Sequence, residues 1–200
     1  MTTETEVKFL NTDHNEIRTK LRGIEATFVK PMTLMRRAII DYPDKRLQTG
    51  VHNSFIRVRD EGDVVTLTFK QFQELSIDGA KEITTKVESF ENTVQIFEAI
   101  GLSVLSTQES KRETWTFRNC EIVLDVWPWL NPYIEIEGPD IESLKHLALL
   151  LNLNWEEAVF GDVMVAYRAQ YPHLNENETV GSLPEVLFTT PIPEFFIKTA

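Results

Sequence analysis

The chain has a single cysteine, Cys120, which leaves no partner for an internal disulfide. Basic side chains are scarce as well, with 20 Lys and Arg against 31 Asp and Glu and a net charge of −11. That balance excludes non-specific binding to nucleic acid or to an anionic membrane surface, so any site for a polyanion has to be local. Long apolar runs are missing. The strongest, Leu147 to Leu153, falls well short of the roughly 20 residues that cross a bilayer. No basic N-terminal stretch leads into an apolar one as a signal peptide requires, and the expected location is cytoplasmic, with no membrane span. His14, His52, His146 and His173 are scattered without metal-ligand spacing, which leaves them surface or helix roles. There is no internal repeat.

The 200 residues, 42% hydrophobic and 26% charged, suffice for one compact core. Residues 1–172 read as one domain. Residues 173–200, rich in Asn, Glu, Thr and Pro, read as an irregular extension that packs only through Val186-Leu187-Phe188 and Phe195-Phe196-Ile197. Within the domain, Thr3 to Leu10 alternates polar and apolar as a half-buried strand does. Asp13 to Thr27 opens acidic and carries Ile17, Leu21 and Ile24 at helical spacing, which predicts a helix. Strand patterns follow at Leu34–Asp41, Ser54–Asp60 and Val64–Gln71, the last two joined by a turn at Glu61-Gly62-Asp63. A further strand spans Ala80–Val87, and a helix over Asn92–Ile100 stops at Gly101. Leu102–Thr107, Glu109–Arg118, Glu121–Val126 and Tyr133–Glu137 bring the total to about eight strands, a barrel-like number. Helices are expected over Ile141–Leu151 and Trp155–Tyr171.

Because strand side chains alternate faces, charges at i and i+2 share one face. Glu4, Glu6 and Lys8 do so. The same holds for Arg57 and Arg59, for Thr66, Thr68 and Lys70, for Arg112 and Thr114, and for Tyr133, Glu135 and Glu137, with Asp125 on its own strand. In an open antiparallel sheet any one such pair simply faces solvent. Their recurrence on strand after strand points instead to a barrel whose apolar face packs on outer helices and whose charged face lines the interior. Arginines and lysines in such a cavity bind phosphate oxygens. The carboxylates beside them would repel phosphates unless a divalent cation, Mg²⁺ or Mn²⁺, lay between. Trp127, Trp129 and Tyr133, around a proline-rich turn, are expected mainly to pack, with stacking on a base as the alternative.

In chain order the charged motifs are Thr3-Glu-Thr-Glu-Val-Lys8, Phe55-Ile-Arg-Val-Arg59, Leu67-Thr-Phe-Lys70, Glu82, Lys111-Arg112, Leu124-Asp125 and Tyr133-Ile-Glu-Ile-Glu137. As an ordered series over about residues 2–171 they resemble the CYTH superfamily, the triphosphate tunnel metalloenzymes. That family includes class IV adenylate cyclases, thiamine triphosphatases and inorganic triphosphatases. The resemblance implies an α+β fold, an eight-stranded antiparallel tunnel with helices packed outside. It places Glu4, Glu6, Asp125, Glu135 and Glu137 around the metal, and Arg57, Arg59, Lys70 and Arg112 on the phosphates. Lys8 matches a phosphate-binding position and is grouped with Glu4 and Glu6 as catalytic. Glu82 supports the set. Arg37 joins as a basic candidate, although Arg36 lies on the other face of the same strand and the sequence leaves the register open. Thr84 and Ser110 depart from the family pattern, which has an acidic residue and a Lys there; Lys86 and Lys111 replace them only if the register shifts.

Metal-dependent hydrolysis of an inorganic, nucleoside or thiamine triphosphate is the first expectation. In it, a carboxylate from Glu4 or Glu6, or a second metal, orients water for in-line attack. An adenylate cyclase releasing pyrophosphate and a non-catalytic triphosphate-binding module are the alternatives. The expected partner is a small-molecule triphosphate, not nucleic acid or membrane, and the chain is expected as a monomer or homodimer.

Overall fold

Period-two burial builds the wall of this protein. In the strand Thr5–Phe9 (β2), Val7 and Phe9 are buried on one face while Glu6 and Lys8 turn to the other. The computed structural model describes residues 2–3, 5–49, 53–72 and 80–197. The other strands are Thr2–Thr3 (β1), Thr27–Asp41 (β3), Ser54–Asp60 (β4), Val65–Phe72 (β5), Ala80–Val87 (β6), Ser103–Phe117 (β7), Cys120–Val126 (β8), Tyr133–Gly138 (β9) and Glu185–Val186 (β10). The helices are His14–Gly23 (α1), Phe90–Ala99 (α2), Ile141–Leu150 (α3), Met164–Gln170 (α4) and Glu194–Ile197 (α5). Side-chain caps start the first three. Asp13 accepts from the amides of Asn15 and Glu16, Ser89 from Asn92, and Asp140 from Ser143. No helix among the described residues is long and apolar enough to cross a membrane.

The sheet runs β1-β6-β5-β4-β3-β7-β8-β9-β2, with β10 lying parallel to β7. Its two ends belong to one stretch of chain. β1 pairs with β6 through Thr2↔Glu82 and Thr3↔Lys81, while β2 pairs with β9 from Thr5↔Gly138 to Phe9↔Ile134. Successive Cα atoms are about 3.8 Å apart, so the ends of the sheet must meet where Thr3 and Thr5 flank one residue. With β1 and β2 counted as one stave and the short β10 set aside, the result is an eight-strand antiparallel curled sheet, an α+β tunnel with helices packed around it. Its outer apolar face carries the core: Val7, Ile122, Leu124, Ile134 and Ile136 pack with Ile17 and Leu21 of α1 and Leu144 and Leu147 of α3. On the far side Ala38, Ile40 and Val58 meet Phe90, Val94 and Phe97 of α2.

Three expectations change. The strands expected at Leu102–Thr107 and Glu109–Arg118 are one strand, β7, because Gln108 is no turn former and pairs with Arg37 within a run that keeps its register from Thr33 to Ile39. β3 begins at Thr27 rather than Leu34; its ladder with β7 shifts register between Lys30 and Thr33, across Pro31, which has no amide to donate. The helix expected over Trp155–Tyr171 is a single 3-10 turn, Trp155–Glu157, then extended chain, then α4. Val159 spends its amide and carbonyl on Lys8 of β2, and Gly161 has φ 115°, so the chain cannot continue as a helix there.

After α4 the chain forms a 3-10 turn at Val180–Ser182, then β10 and α5. Val180, Val186 and Phe196 are buried with Met164 and Tyr167 in a separate cluster. Gly138, where β9 leaves the sheet, has a tight contact. A Cβ there would stand 2.8 Å from Cys120 Sγ and 3.0 Å from Leu144 Cδ2. Gly138→Ala is therefore expected to destabilise the protein by about 1–3 kcal/mol through overpacking. Urea unfolding checks this; an unchanged midpoint would show that β8 and α3 can move apart freely.

Candidate active site

The inward faces of the strands line a cavity of about 840 Å³. β2 supplies Glu6 and Lys8, β3 Arg37, β4 Phe55, Arg57 and Arg59, and β5 Thr68 and Lys70. Glu82 and Thr84 come from β6, Gln108 and Arg112 from β7, Glu121 and Asp125 from β8, and Tyr133, Glu135 and Glu137 from β9. Eleven of the twelve residues expected at the site therefore converge, and the twelfth, Glu4, lies outside the described residues. The register also settles Arg36. It faces outward, pairing with Asp60 at 3.0 Å and Glu91 at 2.7 Å, which leaves Arg37 inside. Thr66 and Thr114 do not reach the cavity lining.

Lys8 is 2% exposed and sits at the centre of an ion-pair network. Its Nζ is 2.9 Å from both Glu6 Oε1 and Glu135 Oε2 and donates to the Gly161 carbonyl at 2.7 Å. Burial alone would weaken the ammonium, yet Glu135 and Glu6 outweigh it and raise its pKa. Lys8 thus remains a cation and cannot serve as a general base. Burial likewise opposes the charged form of Glu135, but Lys8 and Arg112 hold its carboxyl down at about 2. Arg112 grips Asp125 with a two-point fork, Nε to Oδ1 at 2.8 Å and Nη2 to Oδ2 at 2.6 Å, and its Nη2 lies 3.8 Å from Glu135. Lys70 pairs with Glu82 at 2.9 Å, and Arg59 with Glu61 of the β4–β5 turn at 2.6 Å.

Two groups of like charge are crowded together. Arg37 stands directly across the ladder from Arg59, with Arg57 and Arg112 near enough to repel it. Burial, then Arg59, Arg57 and Arg112, pushes the Arg37 guanidinium well down from its ordinary value. Its Nη2 donates to Ser110 Oγ, its plane lies 4.3 Å over the Trp127 ring, and its buried Nε has no hydrogen-bond acceptor. A guanidinium does not give up its proton in a protein, so an anion is what relieves this arrangement. The opposite group is a row of three carboxylates. Glu6 pairs across the ladder with Glu137, and Glu137 with Glu121. Like charges directly opposite destabilise a sheet. Glu121 lies on the exposed side of this row, where crowding by protein atoms and the charges of Glu135 and Glu61 raise its pKa against the pull of Arg112.

Hard oxygen donors on adjacent strands fit a divalent cation, and one lying among Glu6, Glu137 and Glu121 would offset their repulsion. Among the described residues no three such groups already stand at ligand spacing. Glu6 and Glu135 are turned to Lys8, and Asp125 to Arg112. The two departures from the family pattern have plain geometry. Ser110 accepts from Arg37, and Thr84 Oγ1 lies 3.0 Å from Thr68 Oγ1. Lys111 points away, over the Phe188 ring at 4.7 Å, and the exposed Lys86 is not in the lining.

Some lining residues went unread in the sequence. Glu121 lies four residues before Asp125 on one strand, so period two could have found it. Trp127, expected mainly to pack, lines the cavity, as does Tyr133 from the face it was expected to share with Glu135 and Glu137, while Trp129 packs on Phe196 with ring centroids 5.8 Å apart. Asp162, Arg168, Glu176, Thr179 and Gly181 enter from beyond the barrel, from segments with no strand period. Of the histidines, His14 lies 3.0 Å from the Tyr133 carbonyl, outside the lining, and His52 is outside the described residues.

The CYTH domain profile matches residues 2–158. No curated protein matches the chain. Among solved structures, a provisional adenylate cyclase of Vibrio parahaemolyticus is similar at 15% identity and TM-score 0.69, over 82% of this chain and 97% of that one. The PH1012 protein of Pyrococcus horikoshii is similar at 19% identity and TM-score 0.64, over 78% and 93%. A provisional adenylyl cyclase from Hippeastrum, reported to have a dominant triphosphatase activity, is similar at 15% and TM-score 0.55, over 88% and 99%. At these identities the structures speak for the fold alone. The profile spans more than half of the sequence, and its residues build the charged tunnel: the chain belongs to the CYTH domain family.

Proposed function

We propose that the tunnel hydrolyses a triphosphate compound with Mg²⁺ or Mn²⁺. The observation that carries this reading is one cavity holding a crowded guanidinium group, Arg37 with Arg57, Arg59 and Arg112, and a facing row of carboxylates, Glu6, Glu137 and Glu121. Repelling cations call for a polyanion and repelling carboxylates for a divalent cation; a metal triphosphate supplies both. Family membership supports it, since CYTH enzymes are metal-dependent and take triphosphate substrates.

In this reading Arg37, Arg57, Arg59, Arg112 and Lys70 bind the phosphate oxygens and counter the charge that spreads over the transferred phosphoryl group. A divalent cation held by Glu6, Glu137 and Glu121 would neutralise phosphate charge and polarise the terminal phosphoryl oxygen. Lys8, locked as a cation by Glu6, Glu135 and the Gly161 carbonyl, fixes both carboxylates in place. Glu6 accepts a hydrogen bond from the attacking water and orients it in line, and the water's proton passes to a phosphate oxygen as the new P–O bond forms and the terminal bridging P–O bond breaks.

The test is a panel of ATP, GTP, thiamine triphosphate and tripolyphosphate with Mg²⁺ or Mn²⁺, scoring phosphate, pyrophosphate and cyclic nucleotide separately. Phosphate release should fall by more than about 10²-fold on chelation of the metal. Pyrophosphate with cyclic AMP from ATP would replace hydrolysis by cyclisation. Tight binding without any product would leave a binding module.

A further inference from the structure

The chain beyond the family-matched residues 2–158 is built into the tunnel at two open strand edges, on β2 and on β7. At β2, whose one edge is taken by β9, the other edge is taken at Lys8 by Val159, with both backbone bonds made at 2.9 and 3.0 Å. β7 is longer than its partner β8, which pairs only with Lys111–Phe117. Beyond that end, β10 takes the open edge at Thr107 and Gln108, and the Thr107 amide donates to the Pro184 carbonyl at 2.9 Å. Between these two seams, Val163, Met164, Arg168, Thr179, Val180 and Gly181 face the cavity.

This wall differs chemically from the barrel. It mixes Val163, Met164, Val180 and Gly181 with Thr179, two carboxylates, Asp162 and Glu176, and one cation, Arg168, whose side chain makes no hydrogen bond or ion pair among the described residues. Tyr167, next to Arg168 on α4, donates to the Pro128 carbonyl at 2.7 Å and fixes α4 over the turn that follows Trp127. The wall therefore stands at the Trp127 side of the basic cluster, since Trp127 is the ring beneath Arg37. A cavity of about 840 Å³ has the size of sites that enclose an organic ligand and leaves room beyond three linked phosphates.

We propose that residues 159–188 form a selectivity wall for the organic part of an organic triphosphate, with Arg168 as a substrate-binding residue and Gly181 as the space that part enters. The proposal rests on the triphosphate reading above. Gly181 suits the role because a Cβ there meets only Thr179 Oγ1, at 3.7 Å, so a larger side chain extends without backbone strain. Arg168 offers a flat, always-charged fork of donors that both hydrogen-bonds and stacks.

The test is calorimetric affinity for ATP, thiamine triphosphate and tripolyphosphate, with Mg²⁺ and without, in the wild type, Arg168→Ala and Gly181→Leu. Neither variant touches the buried cluster of the tail, and thermal melts check folding. Each variant should lower affinity for at least one organic triphosphate about tenfold more than for tripolyphosphate. An equal change for all ligands, or none, in both variants overturns the wall while leaving the triphosphate reading intact. A wild type that binds none of the ligands overturns both. A wild type that binds tripolyphosphate alone overturns only the organic substrate.

Discussion

Glu135→Gln is expected to lower kcat/KM for triphosphate turnover by about 10²- to 10³-fold, roughly 3–4 kcal/mol of lost transition-state stabilisation. Glu135 meets both Lys8, at 2.9 Å, and Arg112, at 3.8 Å. Glutamine keeps the shape but not the charge, so Lys8 swings wholly to Glu6 and Arg112 wholly to Asp125, and the positions of Glu6 and Arg112 shift. Breaking a buried pair also costs about 3–5 kcal/mol of stability. The pH dependence follows from the carboxyl held at about 2 against an ordinary 4.5. A depressed pKa adds stability that is fully present above about 4.5 and lost as pH falls through about 2. Lys8, whose pKa is raised, keeps its share below 10.5 and loses it only at higher pH. The stability gap between wild type and variant should therefore be full at pH 7 and narrow steadily on acidification below about 4.5. Urea melts across that range, with phosphate release at neutral pH, decide the matter. A gap independent of pH would mean that Glu135 is not held by these cations.

Arg37→Met should separate stability from binding. The substitution removes a buried cation that faces Arg59 and is repelled by Arg57 and Arg112, and it removes an Nε with no acceptor. Without ligand, the variant is expected to be more stable by about 1–3 kcal/mol, since a well-packed apolar side chain replaces an uncompensated buried charge. Tripolyphosphate affinity should fall about 10²-fold, the scale of one charge-assisted two-point contact. The thermal shift on adding ligand must shrink with it, because ligand stabilisation follows occupancy. A variant that melts earlier than wild type and binds tripolyphosphate as tightly would remove Arg37 from the phosphate site.

The sequence was most legible where one local rule governs. Strict alternation placed Glu6, Lys8, Glu135 and Glu137 on the inner face, and the Glu61-Gly62-Asp63 turn was readable because Gly62 takes φ 91°. Legibility failed where partners are distant. Two adjacent arginines, Arg36 and Arg37, read alike until the β3–β4 register sends one to Asp60 and the other inside. The apolar spacing of Trp155–Tyr171 fits a helix well, but Val159 is claimed by the backbone of Lys8, a contact that no local pattern encodes. The wall after residue 158 was the least readable part for the same reason: its inward residues sit on turns and a short helix, whose backbone carries no repeat.

The N-terminal stave has a consequence for how the molecule is made. β1 and β2 leave the ribosome before the other strands of the tunnel, yet their partners are Lys81 and Glu82 on one side and Ile134 to Gly138 on the other. Closure must wait until β9 has been synthesised, so the ring forms by long-range pairing, the slow kind. Until the ring closes, β6 and then β9 present open edges to other nascent chains. The same strand carries Glu6 and Lys8, so the last seam to close in folding is also the one that completes the ionic network. A chain that has not finished folding therefore has no assembled ionic network in its tunnel.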